Sequence, residues 1–205
     1  VFESATQEAP STQDGREERP ADSIEVYFAP SHAWNPRGID DRLIEFLSSA
    51  RSSLYCAFYD LEHPRVAEAL VRKHKKGVDV KIVSDSRYRD RWAVQSCVDT
   101  GIPVVFDERE AFMHNKFCVA DEKRVWTGST NATRNCLHQN NNNSVWIESK
   151  QLAANFVREF KEMFEDRRFG PTSPANTPHR QMEIGETAIE CYFAPEDGVL
   201  DAVLE

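Results

Sequence analysis

Apolar and polar positions along this chain follow two periods, one of strands and one of helices. Ile24-Glu25-Val26-Tyr27-Phe28 reads as a strand ended by Ala29-Pro30, and Asn35-Pro36-Arg37-Gly38 is a turn that opens a helix from about Ile39 to Ala50. Leu43, Ile44 and Leu47 make its apolar stripe, while Asp40 and Asp41 fall in its first turn, where carboxylates suit the helix dipole. Residues 53–59 are apolar with little alternation, as expected of a central strand. Pro64 suits a first helical position, Val66, Ala67, Leu70 and Val71 point inward, and Gly77 closes that helix before the strand Val78–Val83. A helix over 89–100 ending at Gly101, a short strand over 103–106, two strands about a turn at 121–123, a strand over 144–148 and a long helix over 152–169 complete the pattern. Phe156, Phe160 and Phe164 recur at i, i+4 spacing and read as core, as do Trp92, Trp126 and Trp146. The β-α-β-α-β order at the start implies crossover connections and an α/β layered fold.

Residues 1–23 are rich in Ser, Thr, Gln, Glu and Pro with few aliphatics, a composition that does not repay the entropy of ordering, and are expected to be a disordered leader. The domain proper runs from 24 to 169. Residues 170–187 carry Pro171, Pro174 and Pro178 among polar residues and read as a linker. Beyond it the chain repeats itself. Ile189-Glu190-Cys191-Tyr192-Phe193-Ala194-Pro195 copies Ile24-Glu25-Val26-Tyr27-Phe28-Ala29-Pro30 with one change, and Gly198–Glu205 parallels Gly38–Glu45. Residues 188–205 are therefore expected to be the first strand and helix start of a truncated second repeat.

The 205 residues are enough to bury a proper core, and no run approaches the ~18 apolar residues of a membrane span. A formal charge of -9 argues against a polyanionic substrate at long range, but six acids against two arginines lie in residues 1–23, which weakens that objection. The chain begins at Val1 without a charged-then-apolar signal pattern, so an upstream segment is expected to have been removed or left out, and both export and a cytoplasmic location stay open. The five cysteines show no C-x-x-C spacing and read as reduced thiols; a zinc reading would draw on Cys136, His138 and Cys118 but lacks the usual ligand pairs.

The chemistry concentrates in His114-Asn115-Lys116-Phe117-Cys118-Val119-Ala120-Asp121 and in Gly128-Ser129-Thr130-Asn131. In a strand His114, Lys116 and Cys118 share one face while Phe117 and Val119 look the other way. The returning strand then delivers the 128–131 loop beside the histidine and lysine. Arg87, Arg89 and Arg91, just past the strand ending at Ser84, lie where α/β sheets bind ligands. The basic cluster Arg72, Lys73, Lys75 and Lys76 reads as dipole-complementing cations in a last helical turn.

The pattern H-x-K-x(4)-D followed by G-S-x-N resembles the signature of the phospholipase D superfamily, and every position is filled. The resemblance implies a layered α-β-α half with a mixed central sheet, extending over about residues 24–168. It implies a phosphodiesterase of the phospholipase D type, acting on a phospholipid head group or a nucleic-acid backbone, with no metal or other cofactor. His114, Lys116 and Asp121 are its catalytic set, His114 forming a phosphohistidine and Lys116 holding the phosphate, with Asp121 at a turn reading as a support for the strand end. Ser129 and Asn131 are the expected substrate contacts. One motif supplies one histidine where the two-step route uses two, so the partner is expected from a second half of the same chain or from a second protomer. The chain departs from many relatives where an acid would pair with the histidine: that loop is Asn140-Asn141-Asn142-Asn143, and amides do not stabilise imidazolium by charge. The competing reading is a catalytically silent scaffold or binding module on the same fold.

Overall fold

A computed structural model describes residues 19–30 and 37–204. Most of the expected leader, and the start of the turn at 35–38, lie outside the described residues. The elements are β1 (Ile24–Ala29), α1 (Ile39–Ser49), β2 (Ser53–Phe58), α2 (Pro64–Lys75), β3 (Asp79–Ser84), α3 (Trp92–Asp99), β4 (Val104–Phe106), β5 (Lys116–Ala120), β6 (Arg124–Gly128), α4 (Arg134–His138), β7 (Asn142–Glu148), α5 (Lys150–Phe164), β8 (Gln181–Ile184), β9 (Thr187–Glu190) and α6 (Val199–Leu204).

Seven strands form one mixed sheet in the order β1-β7-β6-β5-β2-β3-β4. Strands β2, β3 and β4 are parallel neighbours, whereas β5, β6, β7 and β1 continue antiparallel. Alternation along each strand splits the interior into two layers. Leu54, Cys56, Ile82, Cys118, Trp126 and Trp146 face α1, α2 and α3. Tyr55, Ala57, Phe117, Val119 and Val125 face α5, whose Phe156 and Phe160 fill that layer. Tyr55 stacks on Phe160 at 5.2 Å and Phe160 on Phe164 at 5.3 Å, so the phenylalanine row is packing. The result is the α-β-α arrangement with a mixed sheet.

Two local differences from the sequence reading have simple causes. Trp126 and Trp146 are core residues, but Trp92, at the first position of α3, is 62% exposed because the helix turns its Ala93, Val94 and Cys97 inward instead. Residues 181–190, inside and just after the proline-rich stretch, form the hairpin β8–β9, and Met182 and Ile184 alternate into the α5 layer. Asn155 on α5 fastens that stretch by exchanging two hydrogen bonds with the backbone of His179, at 2.7 and 2.8 Å. All five cysteines are free, and Cys118 sits wholly buried opposite Cys56, far from a ligand role.

Candidate active site

One edge of the sheet gathers the C-terminal ends of β2, β3 and β6 and the start of β5 and β7. The register makes this so: Phe58 is opposite Lys116, and Gly128 is opposite Ser144. In α/β folds this is where ligands bind. His114 lies just ahead of β5 and is exposed, while Lys116 opens the strand and is half-buried. Tyr59, whose N–H donates to the Asn115 carbonyl at 3.0 Å, stands between them. Its ring meets the His114 imidazole edge-on at 4.6 Å, and the Lys116 ammonium lies 5.0 Å from its centroid. The expected imidazole and amine do point into one space.

The same ring organises the wall. Tyr59 packs against Tyr88 at 5.0 Å and Phe112 at 5.5 Å, and the Tyr88 and Tyr59 hydroxyls are 3.2 Å apart. Asp85, fully buried past the end of β3, accepts hydrogen bonds from the backbone N–H groups of Arg87 (2.9 Å) and Met113 (3.0 Å) and so holds the loop that delivers His114. The three arginines are committed to neighbours: Arg87 to Asp85 and the Glu110 carbonyl, Arg89 to Glu108, and Arg91 to Asp60 at 3.0 Å.

Burial and the neighbouring Lys116 lower the His114 pKa, against a smaller opposing pull from Asp85. The imidazole is thereby favoured in its neutral, nucleophilic form. Burial brings Lys116 down to about 8, opposed by Cys136. Among the described residues no hydrogen-bond partner meets the His114 ring, and the Asn140 and Asn142 side chains serve other groups.

The second box is held by backbone geometry. Gly128 has φ 143°, and a Cβ there would collide with the Asn143 backbone oxygen, so strands β6 and β7 approach too closely for any side chain. Ser129 Oγ donates to Asn142 Oδ1 at 3.0 Å and accepts from the Asn143 N–H at 3.0 Å. Asn131 donates to Cys136 Sγ at 3.7 Å and leaves its own Oδ1 buried without a partner. Burial pushes the Cys136 thiol up, yet hydrogen bonds from Thr133, Asn131 and Asn140 outweigh it and hold the thiol below its usual range.

Asp121 belongs to the opposite edge. At φ 55° it turns its carboxylate back to accept from the N–H groups of Arg51 (2.9 Å), Ser52 (2.7 Å) and Ser53 (3.2 Å), and it pairs with Arg124. Burial works to raise its pKa, but these bonds prevail and lower it. It supports the α1–β2 turn and takes no place in the His114 cluster. Tyr59, Asp85 and Cys136 were not singled out for the site from sequence. Asp85 alone had a usable signal, being the acid that directly follows a parallel strand.

These features define an α/β layered domain whose sheet edge presents a histidine and a lysine to an open, aromatic-walled site. The chain belongs to the phospholipase D superfamily: residues 43–164 match the family described as cardiolipin synthase, PLD-like domain. It is 30% identical over 141 residues to the mitochondrial cardiolipin hydrolase of Mus musculus, a match covering 68% of this chain and 63% of that protein. The chain thus spans less than two thirds of that relative. The phospholipase D of Rickettsia typhi is 30% identical over 144 residues, covering 67% of this chain and 66% of its own. Among solved structures, the phospholipase D family member Nuc from Salmonella typhimurium superposes with a TM-score of 0.63 at 28% identity, covering 71% of this chain and 95% of that one. NucT from Helicobacter pylori shares the fold, with a TM-score of 0.60 at 21% identity over 70% of this chain and 96% of that one.

Proposed function

We propose that the domain is a phosphodiesterase in which His114 attacks phosphorus and Lys116 holds the non-bridging oxygens. The observation that carries this reading is the convergence of both side chains on the Tyr59 ring, with the imidazole exposed to an approaching ester. Attack by the neutral His114 nitrogen forms an N–P bond as the P–O bond to the leaving alkoxide breaks. The ammonium of Lys116 meets the charge that builds on the equatorial oxygens. A second histidine protonates the alkoxide, then takes a proton from the water that cleaves the N–P bond, regenerating His114. That histidine comes from a second motif, either further along the full chain or in a second copy. The repeat of residues 24–30 at 189–195 favours the first source.

Asp121 acts on this chemistry only through the strand it anchors. Ser129 and Asn131, on the loop that follows β6, are the substrate contacts in this reading. The substrate is a phospholipid head-group ester or a nucleic-acid backbone. Two of the relatives, a cardiolipin hydrolase and a phospholipase D, carry names of lipid-directed enzymes.

The test is hydrolysis of bis(p-nitrophenyl) phosphate by the full-length chain without added divalent cation, together with trapping of an acid-labile phosphoenzyme. Wild type is expected to turn over and to trap label, and His114→Ala to do neither. Activity persisting in that variant overturns the assignment, and an inert wild type supports a silent scaffold. Cardiolipin vesicles and single-stranded DNA assayed side by side then divide the two substrate classes.

A further inference from the structure

Beside the loop that carries Asn131, three side chains from three helical elements meet at one point. Asp40 lies in the first turn of α1, His63 immediately precedes α2, and His138 ends α4. Each offers one donor atom, and these atoms all lie within 4.8 Å of one another. Ligands held at ~2.0–2.1 Å around a tetrahedral ion stand about 3.4 Å apart, so small side-chain rotations would close the group on an ion.

His63 supplies an independent sign. The residue is only 8% exposed, and its Nδ1 is buried with no hydrogen-bond partner. Native interiors rarely leave such an atom unmet. An ion bound through Nδ1 provides the missing partner. Asp40 is already oriented, since Arg65 donates to its Oδ2 at 2.8 Å and to Asp41 Oδ1 at 2.7 Å. Ligating carboxylates are commonly fixed in this way by an outer partner, and the second oxygen serves the metal. Arg65 and Arg134 also bring positive charge to the surrounding cleft, but Glu62 lines it too, and the Arg65 side chain is 53% exposed, so its repulsion is screened. The cleft is open, about 700 Å³, leaving room for water at a fourth position.

We propose that Asp40, His63 and His138 form a binding site for a divalent transition ion of the zinc class, clamping α1, α2 and α4 together. Two imidazoles and a carboxylate are a borderline donor set that suits zinc better than magnesium or calcium, which take oxygen ligands. The ion would act on the fold and has no part in phosphoryl transfer. Its mechanical reach is short and specific. The N–H groups of Glu62 and His63 both donate to the Ala132 carbonyl, at 2.9 and 2.8 Å, and Leu61 bridges to Ala132. Fixing His63 therefore fixes the residue next to Asn131.

The experiment strips the full-length chain of metal, adds Zn²⁺, removes the excess and measures metal content, thermal midpoint and, with Co²⁺ in place of Zn²⁺, the visible spectrum. One ion per chain, a rise in midpoint with free zinc, and a tetrahedral cobalt band are expected. His138→Ala and His63→Gln should each weaken zinc binding at least a hundredfold and remove the rise, while Cys136→Ser should keep both. Far-UV circular dichroism of each variant shows that the fold persists. Uptake well below one ion per wild-type chain overturns the proposal. So does undiminished affinity in His138→Ala, or loss of binding in Cys136→Ser, which would move the site to the thiol. None of these readouts depends on phosphodiesterase activity.

Discussion

The two ends of β5 carry the same sequence motif and are built on opposite physical terms. At the Asp121 end the carboxylate is fully answered: three backbone N–H groups, the Ser52 hydroxyl and Arg124 converge on it. At the His114 end the imidazole stands exposed against an aromatic ring, and the nearby ammonium is half-buried with, among the described residues, the His114 carbonyl at 2.8 Å as its one hydrogen-bond acceptor. Saturated groups hold a fold, whereas an unsaturated cation and a neutral base keep their free energy for a ligand. The contrast separates a supporting end from the end proposed to react, on either side of one five-residue strand.

The sharpest way to break that contrast is His114→Ala. Turnover of a phosphodiester should fall by about 10³-fold or more, while the thermal midpoint, read by calorimetry, stays within about 2 °C because little burial is lost. A large drop in midpoint would erase the distinction between the two ends. Asp121→Ala is the mirror experiment, expected to cost about 3 kcal/mol in urea unfolding through its lost charge-assisted hydrogen bonds, with KM of the folded fraction little changed. The Asp121 pKa is lowered in the folded state, so its contribution is present above the ordinary carboxylate pKa and is lost as pH falls through the folded value. The gap between wild type and variant should accordingly narrow in acid.

Gly128→Ala tests the loop that faces the reacting end. Its added methyl meets the Asn143 oxygen and the Ser144 Cα, both backbone, so about 2–3 kcal/mol of destabilisation is expected in the same urea titration. The smallest effect is in the pH profile of kcat/KM. Its acid limb should lie below the ordinary histidine value, and its alkaline limb near 8, where Lys116 loses its proton and its charge. Lys116→Arg should shift the alkaline limb beyond the measurable range, and an unmoved limb would assign it to another group.

Much of this was legible from residue order because the dominant forces act locally. The period of Val66, Ala67 and Leu70 places α2, and the apolar run at 53–58 suits the strand covered on both faces that it forms. The histidine and lysine are paired by the pleat, although His114 itself precedes the strand. What escaped depends on contacts distant in sequence. Tyr59 gains its role from Asn115, and Asp85 from Met113, 28 positions away. The hairpin β8–β9 was hidden because the prolines just before it mark a linker, whereas two inward side chains, Met182 and Ile184, tie it to α5. The grouping of Asp40, His63 and His138 has no ligand spacing at all and exists only after three helices pack.

The count of residues between Lys116 and Asp121 is a measuring rod cut to the width of the sheet. At ~3.4 Å per residue, five steps carry the chain roughly 17 Å from the cleft to the far rim. Deleting one residue between them would leave the rod short, turning Lys116 to the face that Phe117 now holds and bringing Asn115 into the place of the lysine, since neighbours on a strand face opposite ways. Insertions are therefore tolerable before His114 or after Asp121, and nowhere in between.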